Sequence, residues 1–239
     1  MIITAASYDY KKIVELSTIQ NNKLGYKPTV YDIEKTMNYG IPFYLDDFLK
    51  DINEKVFNSK ISLGAIPYKP YIIKKALLEY KENITWFDAD AFAIKSFDSI
   101  YNDDFDIAVT MRGQSERYTY APLLNGLINA GVCFFHNTKN TLDFINLWIK
   151  ELKNTMYLSD QEALNRLVLR CCELKEDCYN NVYKLGDIKI KILKTDEYNY
   201  YYYPILPDKN TKILHLKTNL RNNNEKDMLE WFSRDWNKV

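Results

Sequence analysis

The stretch WFDADAF, Trp86 to Phe92, sets two carboxylates, Asp88 and Asp90, two residues apart directly behind an apolar run. Aspartate is a poor strand former and is costly to bury without compensation. Such a pair either caps a turn toward water, holds a divalent cation, or works as an acid/base couple. The residues in front of it, ITWF (84–87), are apolar and β-rich, which predicts a buried strand with the acidic pair at its carboxyl end. In open α/β sheets ligands bind at that edge, so the placement favours a functional role over a plain cap.

Working outward, MIITAA reads as an opening buried strand. A helical pattern follows with Ile13, Leu16 and Ile19 on one face and Gly25 as its stop, and then a second strand, KPTVYDI. Strand, helix, strand favours a parallel α/β sheet. Pro67 and Pro70 bracket the entry to YIIKKALLEYKEN, where Ile73, Leu77 and Tyr80 share a helical face. Beyond the acidic pair, FDIAVTM and NAGVCFF are strands, the second opening on a small-residue turn at Asn129, Ala130 and Gly131. An irregular stretch from Arg112 to Leu127 separates them, and Arg112 reads there either as an exposed loop residue or as a phosphate contact.

Two helices come next, NTLDFINLWIKELKN and SDQEALNRLVLRCCEL; Ser159 caps the second and Glu162 completes a capping box. DIKIKIL alternates with period two. The tail carries the tyrosine cluster YNYYYYP, a short strand KILHLK and a mixed-charge helix EKDMLEWFSRDW. The charges around Trp231, Phe232 and Trp236 favour packing onto the sheet over a membrane interface. With no repeat or linker, the 239 residues read as one domain.

Lys+Arg and Asp+Glu balance at 32 each, so no global field draws in nucleic acid or an anionic membrane, and an anionic ligand needs a local device such as a metal ion. No apolar run nears the roughly 20 residues that span a bilayer, and MIITAAS has no signal-peptide pattern; the expectation is a cytoplasmic protein, with peripheral membrane contact left open. Cys133, Cys171, Cys172 and Cys178 form no paired CxxC knuckles, which disfavours a zinc or disulfide framework. The two histidines are His136, at a strand end and read as structural, and His215, in the apolar strand near the tail.

TWFDADAFAIKSF resembles the DxD segment of GT-A-fold glycosyltransferases, the metal-dependent nucleotide-diphospho-sugar transferases. Five further segments resemble that family in the same order: ITAASYDY its opening strand and loop, YKPYIIKKALLEY its basic residue on the preceding helix, NAGVCFFHNT its NAG strand, SDQEALN its Asp-Gln segment, and LHLK its late histidine with a lysine two residues on. The nearest groups are the retaining glycogenin and lipooligosaccharide galactosyltransferase types. The resemblance spans roughly residues 1–217 and implies a single GT-A (Rossmann-like) domain with a mainly parallel central sheet flanked by helices, its nucleotide-binding part over about 1–110 and its donor-sugar and acceptor part over about 111–239.

It also implies roles. Asp90 and His215 would bind Mn²⁺ or Mg²⁺ together with Asp88, which would touch the metal, the ribose or both; Ala89 lies between the two acids. Lys217 would meet the diphosphate, and Lys69 would steady the nucleotide sugar. Thr4, Ala5, Ala6 and Tyr8 would frame base and ribose. Asn129, Ala130 and Gly131 would shape the donor-sugar pocket, with Asp160 holding sugar hydroxyls and Gln161 on the sugar face where catalysis occurs. The implied activity is hexosyl or deoxyhexosyl transfer from a nucleotide-diphospho-sugar, UDP-sugar favoured, to a hydroxyl acceptor on a glycan, with retention. Two features depart from the family pattern: HLKTNLR lacks the following glycine and Pro-Trp, and the start lacks an acidic residue for reading uracil. The competing readings are a catalytically silent nucleotide-sugar-binding scaffold and a nucleotidyltransferase, the latter disfavoured because TAASYDYKK has no glycine for a phosphate loop.

Overall fold

A computed structural model describes residues 1–6, 10–32, 68–112, 126–155, 159–173, 175, 178–202, 205–216 and 230–236. Tyr8, Lys217 and most of the Arg112–Leu127 stretch lie outside them, as do the first residues of the expected helix EKDMLEWFSRDW. In chain order the elements are β1 (Ile2–Ala6), α1 (Lys11–Lys23), β2 (Thr29–Asp32), α2 (Tyr68–Tyr80), β3 (Ile84–Phe87) and β4 (Ala91–Ala93). A 3₁₀ turn (Asp98–Asn102), β5 (Ile107–Met111), β6 (Ile128–Phe135), α3 (Lys139–Leu152) and α4 (Asp160–Val168) follow. The last are β7 (Val182–Leu185), β8 (Ile188–Lys194), the short α5 (Thr195–Tyr198) and β9 (Ile213–His215).

Seven strands form one sheet in the order β2-β1-β3-β6-β5-β8-β7, and β4 and β9 form a second, two-stranded one. The pairings make β1, β2, β3, β5 and β8 point the same way, with β6 and β7 reversed. This is the α/β sheet, mainly parallel in direction, that the alternation of strands and helices predicted. β3, β5 and β6 are buried at every residue, as strands covered on both faces must be, whereas β8 buries alternate residues.

Side-chain alternation divides the core. Trp86, Val109, Cys133 and Phe135 face α2, α3 and α4, while Phe87, Ala108, Val132 and Phe134 face β4 and the 3₁₀ turn. Beyond the small sheet, Phe92, Leu214 and Leu216 pack with Trp231, Phe232 and Trp236, all three buried, and the rings of Phe92 and Phe232 lie 4.8 Å apart. The tail aromatics therefore pack inside the protein, as their mixed-charge setting suggested.

The helix caps follow from local chemistry. Thr138 accepts from the Thr141 amide at the start of α3, and Ser159 from the Glu162 amide at the start of α4. α2 begins at Tyr68, ahead of Pro70, which sits in the first turn where a missing N–H costs nothing.

α1 is turned differently from its apolar spacing. Val14, Ser17, Gln20 and Asn21 are buried, Ile13 and Leu16 lean on the tail cluster, and Ile19 is 48 % exposed. The cause is Asn21: its amide donates to the Ser17 carbonyl and its oxygen accepts from the Ala93 amide, so a polar side chain fixes the helix against β4. The small-residue turn expected at Asn129–Gly131 is also different. Those residues lie inside β6, where the pairing jumps from Val109↔Cys133 to Thr110↔Asn129, an irregularity that leaves Ala130 to Val132 without partners on β5. Strand β7, which the sequence reading passed over, closes a hairpin onto β8 through Gly186 at φ +63°.

Candidate active site

β3 ends at Phe87 and the chain turns at once. The Ala91 amide donates to the Asp88 carbonyl at 2.9 Å, placing Ala89 and Asp90 at the turn's apex before β4. The Asp88 amide donates to the Gly131 carbonyl at 2.8 Å, and the Asp90 carbonyl accepts from Leu216 at 2.9 Å. Each acid is thus anchored by backbone to a different strand, Asp88 to the interior of β6 and Asp90 to the residue that follows β9. The ladder β4–β9 pairs Ala91 with His215, which carries the late histidine to the acidic turn.

The side chains meet there. His215 Nε2 is 3.3 Å from Asp90 Oδ1 and 3.8 Å from Asp88 Oδ2. On the other side, His215 Nδ1 is 2.8 Å from Asn199 Oδ1. Asp88 Oδ1 accepts from Trp86 Nε1 at 2.8 Å and pairs with Lys69 Nζ at 2.9 Å. Among the described residues no three His, Cys, Asp or Glu side chains stand in the arrangement of a ready metal site; Asp88, Asp90 and His215 meet as a contact cluster.

Lys69, on the first turn of α2, ties the cluster to the rest of the pocket. Its ammonium donates to the Ala130 carbonyl at 2.8 Å, pairs with Asp160 Oδ2 at 3.1 Å and lies over the Trp86 ring at 5.5 Å. Burial works against its charge, but Asp160 and Asp88 outweigh it and the Lys69 pKa is raised. Burial likewise pushes the Asp88 carboxyl up, and the opposing charges of Lys69 and His215 bring it below its ordinary value. The Cys133 thiol, buried beneath Lys69, is pushed up to about 12 and stays protonated.

Asp160 opens α4, with Oδ1 accepting from the Gln161 amide at 2.8 Å and its carbonyl accepting from Trp148 Nε1 at 2.7 Å. Gln161 Oε1 accepts from the Ala130 amide at 3.4 Å, so the Asp-Gln segment sits against the irregular part of β6. Asn129 Oδ1 accepts from the Gly131 amide at 2.8 Å, and its buried Nδ2 has no hydrogen-bond partner among the described residues. β1 pairs with β3 as Ile2↔Thr85 and Ile3↔Trp86, while Thr4, Ala5 and Ala6 continue along β2 opposite Val30, Tyr31 and Asp32. Thr4 Oγ1 is likewise buried without a hydrogen-bond partner among the described residues.

One edge of the sheet thus gathers Lys69, Asp88, Ala89, Asp90, Asn129, Ala130, Gly131, Asp160, Gln161 and His215, with Thr4–Ala6 on the neighbouring strand. Arg112 is 8 % exposed at the end of β5, a buried residue and no loop arginine in solvent. His136 is at the opposite end of β6, stacked edge-on against Tyr101.

The profile of the nucleotide-diphospho-sugar transferase family matches residues 38–226. The chain belongs to that family. No curated protein sequence matches it. Among solved structures, this transferase is similar to a glycosyltransferase involved in glycosylation of the major capsid of PBCV-1, at 14 % identity and TM-score 0.56, covering 98 % of this chain and 99 % of that one. It is also similar to the glycosyltransferase GlyE of Streptococcus pneumoniae TIGR4 (16 %, TM-score 0.53, 99 % of this chain and 62 % of that one). The galactosyltransferase LgtC is a third (16 %, TM-score 0.50, 90 % and 86 %). Likeness at this identity shows the fold, which is that of a GT-A glycosyltransferase. No helix among the described residues of the transferase is long and apolar enough to cross a membrane.

Two residues of the site were outside the sequence motifs, and a third, Asn165, closes SDQEALN with no role assigned to it there. Asn199 lies inside the aromatic run YNYYYYP, where one polar residue among tyrosines was the only signal. Thr110 lies within the apolar strand run IAVTM. Asn165 faces β6 from α4; its oxygen accepts from the Ile128 amide at 2.6 Å and its amide donates to the Ile128 carbonyl at 3.0 Å, clamping the start of β6.

Proposed function

We propose that this transferase moves a sugar from a nucleotide-diphospho-sugar, with a UDP-sugar favoured, to a hydroxyl of a glycan acceptor, with a divalent cation at Asp88, Asp90 and His215 and with retention of configuration. The observation that carries the reading is the approach of His215 Nε2 to Asp90 and Asp88, at 3.3 and 3.8 Å. A ring nitrogen aimed at two carboxylates needs positive charge between them, either a proton or a cation. Two carboxylates and one imidazole suit Mn²⁺, with Mg²⁺ as the harder alternative. When bound, the ion would neutralise charge on the departing nucleoside diphosphate as a Lewis acid.

The chain's own residues supply position. The Lys69 ammonium, fixed between Asp88 and Asp160, sets the spacing between the acidic turn and the start of α4. Asp160 and Gln161 would hold donor-sugar hydroxyls, with Asn129, Ala130 and Gly131 behind them on β6. Thr4–Ala6 would line the base and ribose.

Both Asp160 oxygens are engaged, one by Lys69 and one by its own helix, and the Gln161 oxygen faces the Ala130 amide. Neither is placed as a ready nucleophile, which supports front-face transfer in which the leaving diphosphate takes the acceptor proton over a covalent intermediate.

Thermal stabilisation by UDP, GDP, CMP and dTDP, with and without Mn²⁺, tests the reading. A metal-dependent shift with one diphosphate is expected, and Asp90→Asn should abolish it while leaving the circular dichroism unchanged. Metal-dependent UDP binding at wild-type strength in that variant overturns it. Donor hydrolysis separates the rivals: sugar plus nucleoside diphosphate marks a glycosyltransferase, sugar phosphate plus nucleotide a nucleotidyltransferase, and no turnover a scaffold.

A further inference from the structure

The hydrogen-bond chain behind His215 has a fixed polarity. Thr110 Oγ1 lies 3.3 Å from the Asn129 carbonyl oxygen, which can only accept, so the threonine hydroxyl donates there. Its oxygen then accepts from Asn199 Nδ2 at 2.7 Å. That orientation turns Asn199 Oδ1 to His215 Nδ1 at 2.8 Å, and because an amide oxygen only accepts, Nδ1 carries the hydrogen. In the neutral ring Nε2 is consequently bare, with its lone pair directed at Asp90 and Asp88. Asn199 and Thr110 are wholly buried and His215 is 3 % exposed, so no water competes for these bonds.

We infer that Asn199 is a positioning residue for His215: relayed from the Asn129 carbonyl through Thr110, its oxygen fixes the Nδ1–H tautomer and aims Nε2 into the acidic turn. A second partner on the distal ring nitrogen orients an imidazole ligand and raises its basicity, and loss of such a partner typically weakens metal affinity about 10–100-fold. The affinity half of the inference rests on the metal reading above; the tautomer half does not.

With two histidines in the chain, nitrogen-15 correlation spectra of the imidazoles assign directly. In the signals of the neutral ring, wild-type His215 is expected as the Nδ1–H tautomer, Asn199→Leu as a mixture or the Nε2–H form, and Asn199→Asp as wild type. The aspartate keeps an acceptor at Nδ1. Mn²⁺ binding followed by electron paramagnetic resonance, without donor, should weaken about 10–100-fold in Asn199→Leu and stay within a few-fold of wild type in Asn199→Asp.

Melting temperatures of both variants identify a purely structural role, in which the two substitutions would lower affinity in proportion to stability and the aspartate would not rescue. An Nε2–H tautomer in the wild type overturns the inference, as does wild-type Mn²⁺ affinity in Asn199→Leu. A wild-type protein that binds no Mn²⁺ overturns the metal reading and the affinity half with it, leaving the tautomer half to the spectra. Should Asn199→Leu fail to fold, the wild-type spectrum and Asn199→Asp still decide.

Discussion

His215 occupies the space that a side chain at Gly131 would need: a β-carbon there would stand 2.1 Å from Cε1 and 2.6 Å from Nδ1 of the imidazole. The irregular part of β6 brings the two together, and glycine is the residue that permits it. The ring cannot yield freely, because Asn199 holds Nδ1 and the β4–β9 ladder holds the backbone.

Gly131→Ala should therefore displace the imidazole. Overpacking of this kind costs roughly 1–3 kcal/mol, and a chain of this size loses about 2–4 °C of melting temperature per kcal/mol. On the metal reading, the Mn²⁺-dependent UDP shift should fall much further than stability does. Differential scanning fluorimetry with and without Mn²⁺ and UDP measures both at once; an unchanged shift would mean that the ring is not where the ligand is held.

Lys69→Met should destabilise the protein without any ligand present. The substitution leaves Asp88 and Asp160 facing each other, with side chains 31 % and 26 % exposed, and removes the ammonium's hydrogen bond to the Ala130 carbonyl. Breaking a largely buried ion pair costs about 3–5 kcal/mol, which corresponds to a fall in melting temperature of roughly 6–20 °C. A loss of less than a degree would show that Lys69 contributes nothing to stability.

Glu151 gives a pH dependence away from the site. It lies on α3 with its side chain 5 % exposed and binds Arg166 at 2.7 Å and Arg170 at 2.5 Å, joining α3 to α4. Burial raises its carboxyl, but the two arginines and Asn154 bring it below its ordinary value of 4.5. A depressed folded value means that the stabilisation is complete above about pH 4.5 and disappears as the pH falls through the lower folded value. Glu151→Gln should lose about 1–2 kcal/mol at pH 7, the arginines being half exposed, and the gap to wild type should close in acid. Urea melts at pH 7 and pH 3.5 check the sign; a gap that widens in acid contradicts it.

What could be read in advance was local. The strand ITWF and its acidic exit, the Ser159 cap and the buried β6 each follow from residues close together in the chain, and the mainly parallel direction of the sheet follows from the alternation of strands with helices. The face of α1 could not be read, because Asn21, a polar residue, decides it through a bond to distant Ala93. Apolar spacing carries no trace of such a bond. The pairing of Lys69 with Asp160 and the support of His215 by Asn199 were equally hidden, since each joins residues on separate elements whose approach depends on the finished sheet. The irregularity in β6 was visible only as three small residues, which read equally well as a turn.

The two-stranded ladder of Ala91–Ala93 with Ile213–His215 has a consequence for synthesis. The ribosome releases the acidic turn early and the histidine only after much of the remaining chain has been translated. The acidic pair is therefore made well before its imidazole partner, with β5, β6, α3, α4, β7 and β8 lying between them in the chain. Assembly of the pocket is then a late event in the life of each molecule, gated by the arrival of a three-residue strand.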